Sequence, residues 1–178
     1  MAVVVITGAI RGIGLALAQH YCARGDEVIA CVRQISDELV KTGAEIHEGV
    51  DLGEGAAISA FCDGMKERAI DVLISNAGIF NDRGPIEEVD VETVRDELNV
   101  NVLGPLQLVR DLLPVIHEGG KIAFITSAMG SLEENETGLY HGYRFSKVSI
   151  NMLAKSLSNE LWDRMIATVA VHPGYVKT

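Results

Sequence analysis

Val3-Val4-Val5-Ile6-Thr7-Gly8-Ala9-Ile10-Arg11-Gly12-Ile13-Gly14 is the stretch whose reading decides the fold. Val3 to Ile6 carry no polar side chain, as expected of a parallel strand buried on both faces. Gly8, Gly12 and Gly14 let the main chain turn tightly and leave bare backbone for a ligand to lie against. Leu15, Ala16, Leu17, Ala18 and Tyr21 then supply an amphipathic helix whose first N–H groups point back at the glycines. Such a terminus combines unpaired donors with a partial positive charge, and so suits a pyrophosphate.

Strand, glycine turn and helix in this order read as a dinucleotide site, with Ile10, Arg11 and Ile13 alongside the glycines. The spacing is Gly-x-x-x-Gly-x-Gly and not the commoner Gly-x-Gly-x-x-Gly. The rest of the chain continues the alternation of strand and helix that marks a three-layer, Rossmann-type, doubly wound parallel α/β sheet. Strands are expected at Glu27–Val32, Glu45–Val50, Val72–Ser75, Lys121–Thr126 and Ala167–His172. Helices are expected at Asp37–Thr42 (short and weak), Glu54–Glu67, Val91–Val115 and Tyr140–Arg164. Right-handed crossovers then give the strand order 3-2-1-4-5-6, with the ligand at the carboxyl edge near the switch between strands 1 and 4.

The chain has 178 residues, 48% of them hydrophobic and 22% charged, which reads as one domain with a substantial core spanning residues 1–178. Its net charge of −10 argues against nucleic acid. No signal peptide and no membrane span is expected, and the three cysteines, Cys22, Cys31 and Cys62, read as reduced thiols of a cytoplasmic protein. The five histidines form no His-x-x-x-His pair, so no metal site is expected.

Several positions carry further chemistry. The second strand ends in Cys31-Val32-Arg33, without the acid that commonly holds an adenosine ribose. A guanidinium at Arg33, joined by Arg11, suits a 2′-phosphate, so NADP(H) is preferred and NAD(H) is the other cofactor the site could take. Asp51 and Leu52, after the third strand, are expected beside the adenine. Asn76-Ala77-Gly78 lets the main chain pass close to a ligand while Asn76 ties neighbouring strands. Pro105 cannot donate to the carbonyl of Asn101, which predicts a bend there and a free acceptor able to hold a water. Ser127 follows the fifth strand, at the carboxyl edge. Tyr143 and Lys147 share one helical face. A phenol titrates near 10, and a nearby ammonium is expected to pull it down toward neutrality.

Taken together, Thr7-Gly8-x-x-x-Gly12-x-Gly14, Asn76-Ala77-Gly78, Asn101, Ser127, Tyr143-x-x-x-Lys147 and Pro173-Gly174 resemble, in order and over essentially the whole chain, the short-chain dehydrogenase/reductase family. The stretch from Glu133 through Lys147 is similar to the carbonyl-reductase branch that includes C-factor and sniffer-type proteins. The resemblance implies reduction of an aldehyde or ketone by NADPH, with Tyr143 as general acid and Lys147 on the nicotinamide ribose. It also implies Ser127 on the substrate oxygen and Asn101 on a water that links Lys147 to solvent. The loop after the sixth strand, with Pro173, Gly174, Val176 and Thr178, would contact the carboxamide. Relatives continue through a substrate-covering segment and a seventh strand that are absent before Thr178. A homodimer or homotetramer follows by the same analogy. The alternative is a dinucleotide-binding regulatory or signalling protein that no longer turns over.

Overall fold

A computed structural model of the chain describes residues 1–176. Among these, six parallel strands form one sheet in the order β3-β2-β1-β4-β5-β6. The strands are β1 (Val3–Thr7), β2 (Glu27–Cys31), β3 (Glu45–His47), β4 (Ile70–Ser75), β5 (Ile116–Ile125) and β6 (Ala167–Val171). The principal helices are α1 (Gly12–Ala23), α2 (Asp37–Val40), α3 (Gly55–Gly64), α4 (Val91–Leu98), α5 (Gly104–Leu112) and α6 (His141–Glu160). The expected doubly wound order is therefore the observed one.

Because successive strand side chains point to opposite faces, β1 feeds two cores. Val4 and Ile6 join Val28, Ala30 and Ile74 against Ala18 of α1 and Leu39 of α2. Val5 joins Ile29, Leu73, Ile122 and Phe124 against α3, α5 and α6, through Ile58, Leu108 and Ile150. A sheet sandwiched in this way leaves its carboxyl edge as the place where loops meet.

Several boundaries differ from expectation, and three of the differences have a local cause. β3 stops at His47 because Gly49 turns the chain at φ +80°, although Val50 still donates to Val32 O at 3.0 Å. β5 starts at Ile116, ahead of the expected Lys121, because pairing with β4 resumes after an irregularity: Ile116 faces Ile70 and Lys121 faces Val72. The expected long helix Val91–Val115 is interrupted by a π-turn at Asn99–Leu103, where Gly104 N donates to Asn99 O. Pro105 does mark an irregularity, but the chain inserts a wider turn ahead of it and does not simply bend. Gly104 is required there, since a Cβ would lie 2.2 Å from Leu52 O.

Candidate active site

The glycine turn is built on steric necessity. Gly8 sits at φ +68°, and a Cβ there would meet Ala77 Cα at 2.8 Å; a Cβ on Gly14 would lie 2.3 Å from Gly8 O. Thr7, which is 1% exposed, accepts from Asn76 N at 3.0 Å and from Ala77 N at 3.1 Å. Asn76 Nδ2 returns bonds to Thr7 O at 2.9 Å and Gly8 O at 3.2 Å, so β1 and β4 are laced together beside the turn. Arg11 is the N-cap residue of α1 with no side-chain cap, and no acid stands in the first turn. With no carboxylate competing, the donors of that turn fit a pyrophosphate. Ile10, partly buried, takes the Ser36 hydroxyl on its carbonyl at 3.3 Å, while Ile13 lies in the first turn itself.

At the far end of β2 the exposed Arg33 guanidinium stands 3.8 Å from the Asp51 carboxylate. Asp51 also accepts from Gly53 N at 2.8 Å, and the neighbouring Leu52 is buried. The expected adenosine-side residues thus share one corner of the carboxyl edge.

The second group converges from three elements. Ser127 caps the short 3-10 turn after β5, its Oγ accepting from Met129 N at 3.2 Å. Tyr143 lies in the first turn of α6 and Lys147 one turn on, with its ammonium 5.3 Å from the Tyr143 ring centre. Asn101, in the π-turn, is 2% exposed and spends its whole amide: Oδ1 accepts from Ile79 N and Nδ2 donates to Ile79 O, each at 2.8 Å, and Nδ2 also reaches Ser146 Oγ at 3.1 Å. Gly78 completes the group, since a Cβ there would approach Asn101 Oδ1 at 3.1 Å and Lys147 Nζ at 3.9 Å.

The electrostatics depart from the sequence expectation. Lys147 donates to Ile125 O at 3.0 Å, and burial lowers its ammonium to about 8. Burial raises the Tyr143 phenol above its ordinary value; the Ser127 hydroxyl, within hydrogen-bonding reach, opposes the rise, and the charge of Glu97 adds to it. The expected pull of Lys147 on the phenol is therefore not the governing effect. Desolvation wins because the ring is packed between side chains, with Phe80 4.5 Å away centre to centre and Phe80 in turn edge-on to Tyr140 at 5.4 Å. A phenol in this setting is a proton donor at neutral pH.

Beyond β6, Gly174 takes φ +76° and Val176 is exposed, while Thr178 lies outside the described residues. Among the described residues no cluster of His, Cys, Asp or Glu is placed to hold a metal ion. No helix there is long and apolar enough to cross a membrane. Residues that the motif reading missed are Phe80, Asp82 and Glu97. Glu97 was the detectable one, for it stands one helical turn before Asn101 and so faces the same interior.

Known proteins bear on this arrangement. The family model described as short chain dehydrogenase matches residues 2–178. A 1-hydroxy-2-glutathionyl-2-methyl-3-butene dehydrogenase of Rhodococcus sp. is 28% identical over 180 residues, covering 100% of this chain and 79% of that protein. The C-signal protein of Myxococcus xanthus is 36% identical over 121 residues, 67% of this chain and 73% of its own. Among solved structures, a short-chain dehydrogenase/reductase from Burkholderia multivorans with bound NADP superposes with a TM-score of 0.91 at 28% identity, over 99% of this chain and 80% of that one.

Proposed function

The chain belongs to the short-chain dehydrogenase family, and from that premise we propose that it is a cytoplasmic, NADPH-dependent carbonyl reductase, converting an aldehyde or ketone to an alcohol. The observation that carries this reading is the convergence of Ser127, Tyr143 and Lys147 at the carboxyl edge, with the phenol held protonated by burial. NADP(H) is the cofactor favoured by the bound NADP of the Burkholderia multivorans relative and by a guanidinium, Arg33, at the end of β2. Gly8, Gly12, Gly14 and the first turn of α1 would hold its pyrophosphate, Asp51 and Leu52 the adenine side, and Asn76, Ala77 and Gly78 the nicotinamide side, with Pro173, Gly174, Val176 and Thr178 assigned to the carboxamide by the family resemblance alone. When bound, the nicotinamide supplies the hydride, which no side chain can.

The side chains handle the proton and the developing charge. Tyr143 donates its phenol proton to the substrate oxygen as that oxygen becomes an alkoxide. Ser127 Oγ hydrogen-bonds the same oxygen, stabilising negative charge where it appears. Lys147, half-way between charged and neutral near pH 8, would bind the ribose hydroxyls and pass a proton back toward Tyr143. Asn101 fixes the turn beside Lys147, and its main-chain oxygen holds the water through which that proton is replaced.

The test follows NADPH absorbance with a panel of aldehydes and ketones, wild type against Tyr143→Phe. Wild-type turnover reduced by about 100-fold or more in the variant is expected, the usual scale for a lost general acid. NADPH binding by the wild type with no turnover on any carbonyl would transfer the assignment to a non-catalytic dinucleotide sensor.

A further inference from the structure

Glu97 is the one fully enclosed carboxylate in this region, 0% exposed, and its two oxygens are treated unequally. Oε1 accepts from Asp82 N at 3.1 Å and from Asn81 N, holding the loop after β4. Oε2 is buried without a hydrogen-bond partner and fills the space a side chain on residue 142 would need: a Cβ on Gly142 would lie 2.3 Å from it. Gly142 N in turn donates to Asp82 Oδ2 at 3.0 Å. That bond supplies α6 with a cap from outside, since its own N-cap residue, Tyr140, is left-handed at φ +66° and offers none.

We propose that Glu97 is a positioning residue that holds the start of α6 against the loop after β4 and, through its charge, reinforces the proton-donating form of Tyr143 that burial already favours and carbonyl reduction requires. The inference rests on the assignment of Tyr143 as the acid. An unpaired buried carboxylate oxygen costs stability, while an amide would keep the acceptor toward Asn81 and Asp82 without the charge. The geometry gives the charge something to do: it abuts the residue preceding Tyr143, and it adds to the upward push on the phenol. The groups about Tyr143 are Glu97 from α4, Lys147 on its own helix and Ser127 after β5; from the loop after β4, Asp82 is bonded to the preceding residue's N–H and the Arg83 guanidinium is stacked on Phe80 at 4.8 Å. Of these, Glu97 alone is both fully buried and without a hydrogen bond on one oxygen, so its field is the least screened.

Glu97→Gln keeps the acceptor toward Asn81 and Asp82 and removes the charge. The phenol of Tyr143 is titrated by ultraviolet difference absorbance, each protein read against its own Tyr143→Phe counterpart, so the measurement does not require turnover. The midpoint is expected to fall in Glu97→Gln, and the basic limb of kcat/KM for carbonyl reduction should fall with it. An unmoved midpoint in a variant with native circular dichroism overturns the proposal. Should the amide not fold, Glu97→Met fills the same volume without charge and is read in the same way. Loss of fold in both variants also overturns it, because Glu97 would then be structural only. A shifted midpoint in a protein that reduces no carbonyl would sustain the charge effect while removing the enzymatic role of Tyr143.

Discussion

Lys147→Met should stabilise the cofactor-free protein while removing its function, and the structure fixes both sign and scale. Burial lowers the ammonium from 10.5 to about 8; at about 1.4 kcal/mol per pH unit this is a cost of about 3 kcal/mol for keeping the charge inside. Against it stands the bond from Nζ to Ile125 O at 3.0 Å, worth about 1–2 kcal/mol for a charged donor. Met has similar reach and no charge, so a net gain of about 1–2 kcal/mol is expected at pH 7. For a chain of this size that is about 3–6 °C in Tm.

The pH dependence separates this account from ordinary repacking. Below about 8 the wild-type lysine is charged in both the folded and the unfolded state, and the full cost is present. Between about 8 and 10.5 the unfolded chain binds more protons than the folded one, so wild-type stability rises with pH. The advantage of Lys147→Met should therefore shrink across that window and reverse before its upper end, because the relieved cost exceeds the net gain at pH 7 and the bond to Ile125 O remains. Urea melts of the cofactor-free proteins at pH 7 and pH 10.5 measure it. A variant less stable than wild type at pH 7, or a difference that does not change with pH, would refute the reasoning.

Two further outcomes are expected. Arg33→Asp places a second carboxylate beside Asp51, now 3.8 Å from the guanidinium; it should raise the KM for NADPH by about 10- to 100-fold and leave that for NADH less affected, and an unchanged preference would dissociate Arg33 from the 2′-phosphate. His117 presents Nε2 to Asp71 Oδ1 and Nδ1 to Glu118 O, each at 2.6 Å, so both nitrogens face acceptors and the ring's pKa is raised. Its contribution to stability is fully present below the ordinary histidine range and is lost as pH rises through the elevated value; melts of wild type and His117→Ala should therefore differ more at pH 5.5 than at pH 8.5, and equal differences would show that the pair is not coupled to folding.

The strand order and the glycine turn were legible in the sequence because each rests on a local requirement. An apolar β-branched run has few alternatives to a buried parallel strand, and Gly8 and Gly14 occupy positions where a Cβ collides with backbone. The convergence of Ser127, Tyr143 and Lys147 was legible for a related reason: strand ends and a helical turn place residues predictably. What escaped the sequence depends on how elements meet. The irregularity between β4 and β5 is set by pairing between strands distant in sequence. The direction of the Tyr143 shift could not be read from Tyr-x-x-x-Lys, because spacing gives proximity but not burial. Desolvation by Phe80 and its surroundings, and an ammonium directed at Ile125 O, reverse the sign that proximity alone implies.

The interrupted helix accounts for much of this behaviour. From α4 and the π-turn, Glu97 and Asn101 reach the same loop with opposite polarity: Glu97 only accepts, from Asn81 and Asp82, whereas Asn101 both accepts from and donates to Ile79. Four main-chain groups of the loop are thereby fixed on either side of Phe80, the residue packed against the phenol. A π-turn adds a residue to the helical repeat and rotates the next helical segment about the axis; here α5 resumes with Gly104 pressed against Leu52 O, at the corner proposed for the adenosine. One segment thus touches the loop beside Tyr143 at one end and the residues beside Arg33 at the other. Straightening it would misplace both halves of the site together, whereas a change confined to Ser127 or to Arg33 would disturb only one.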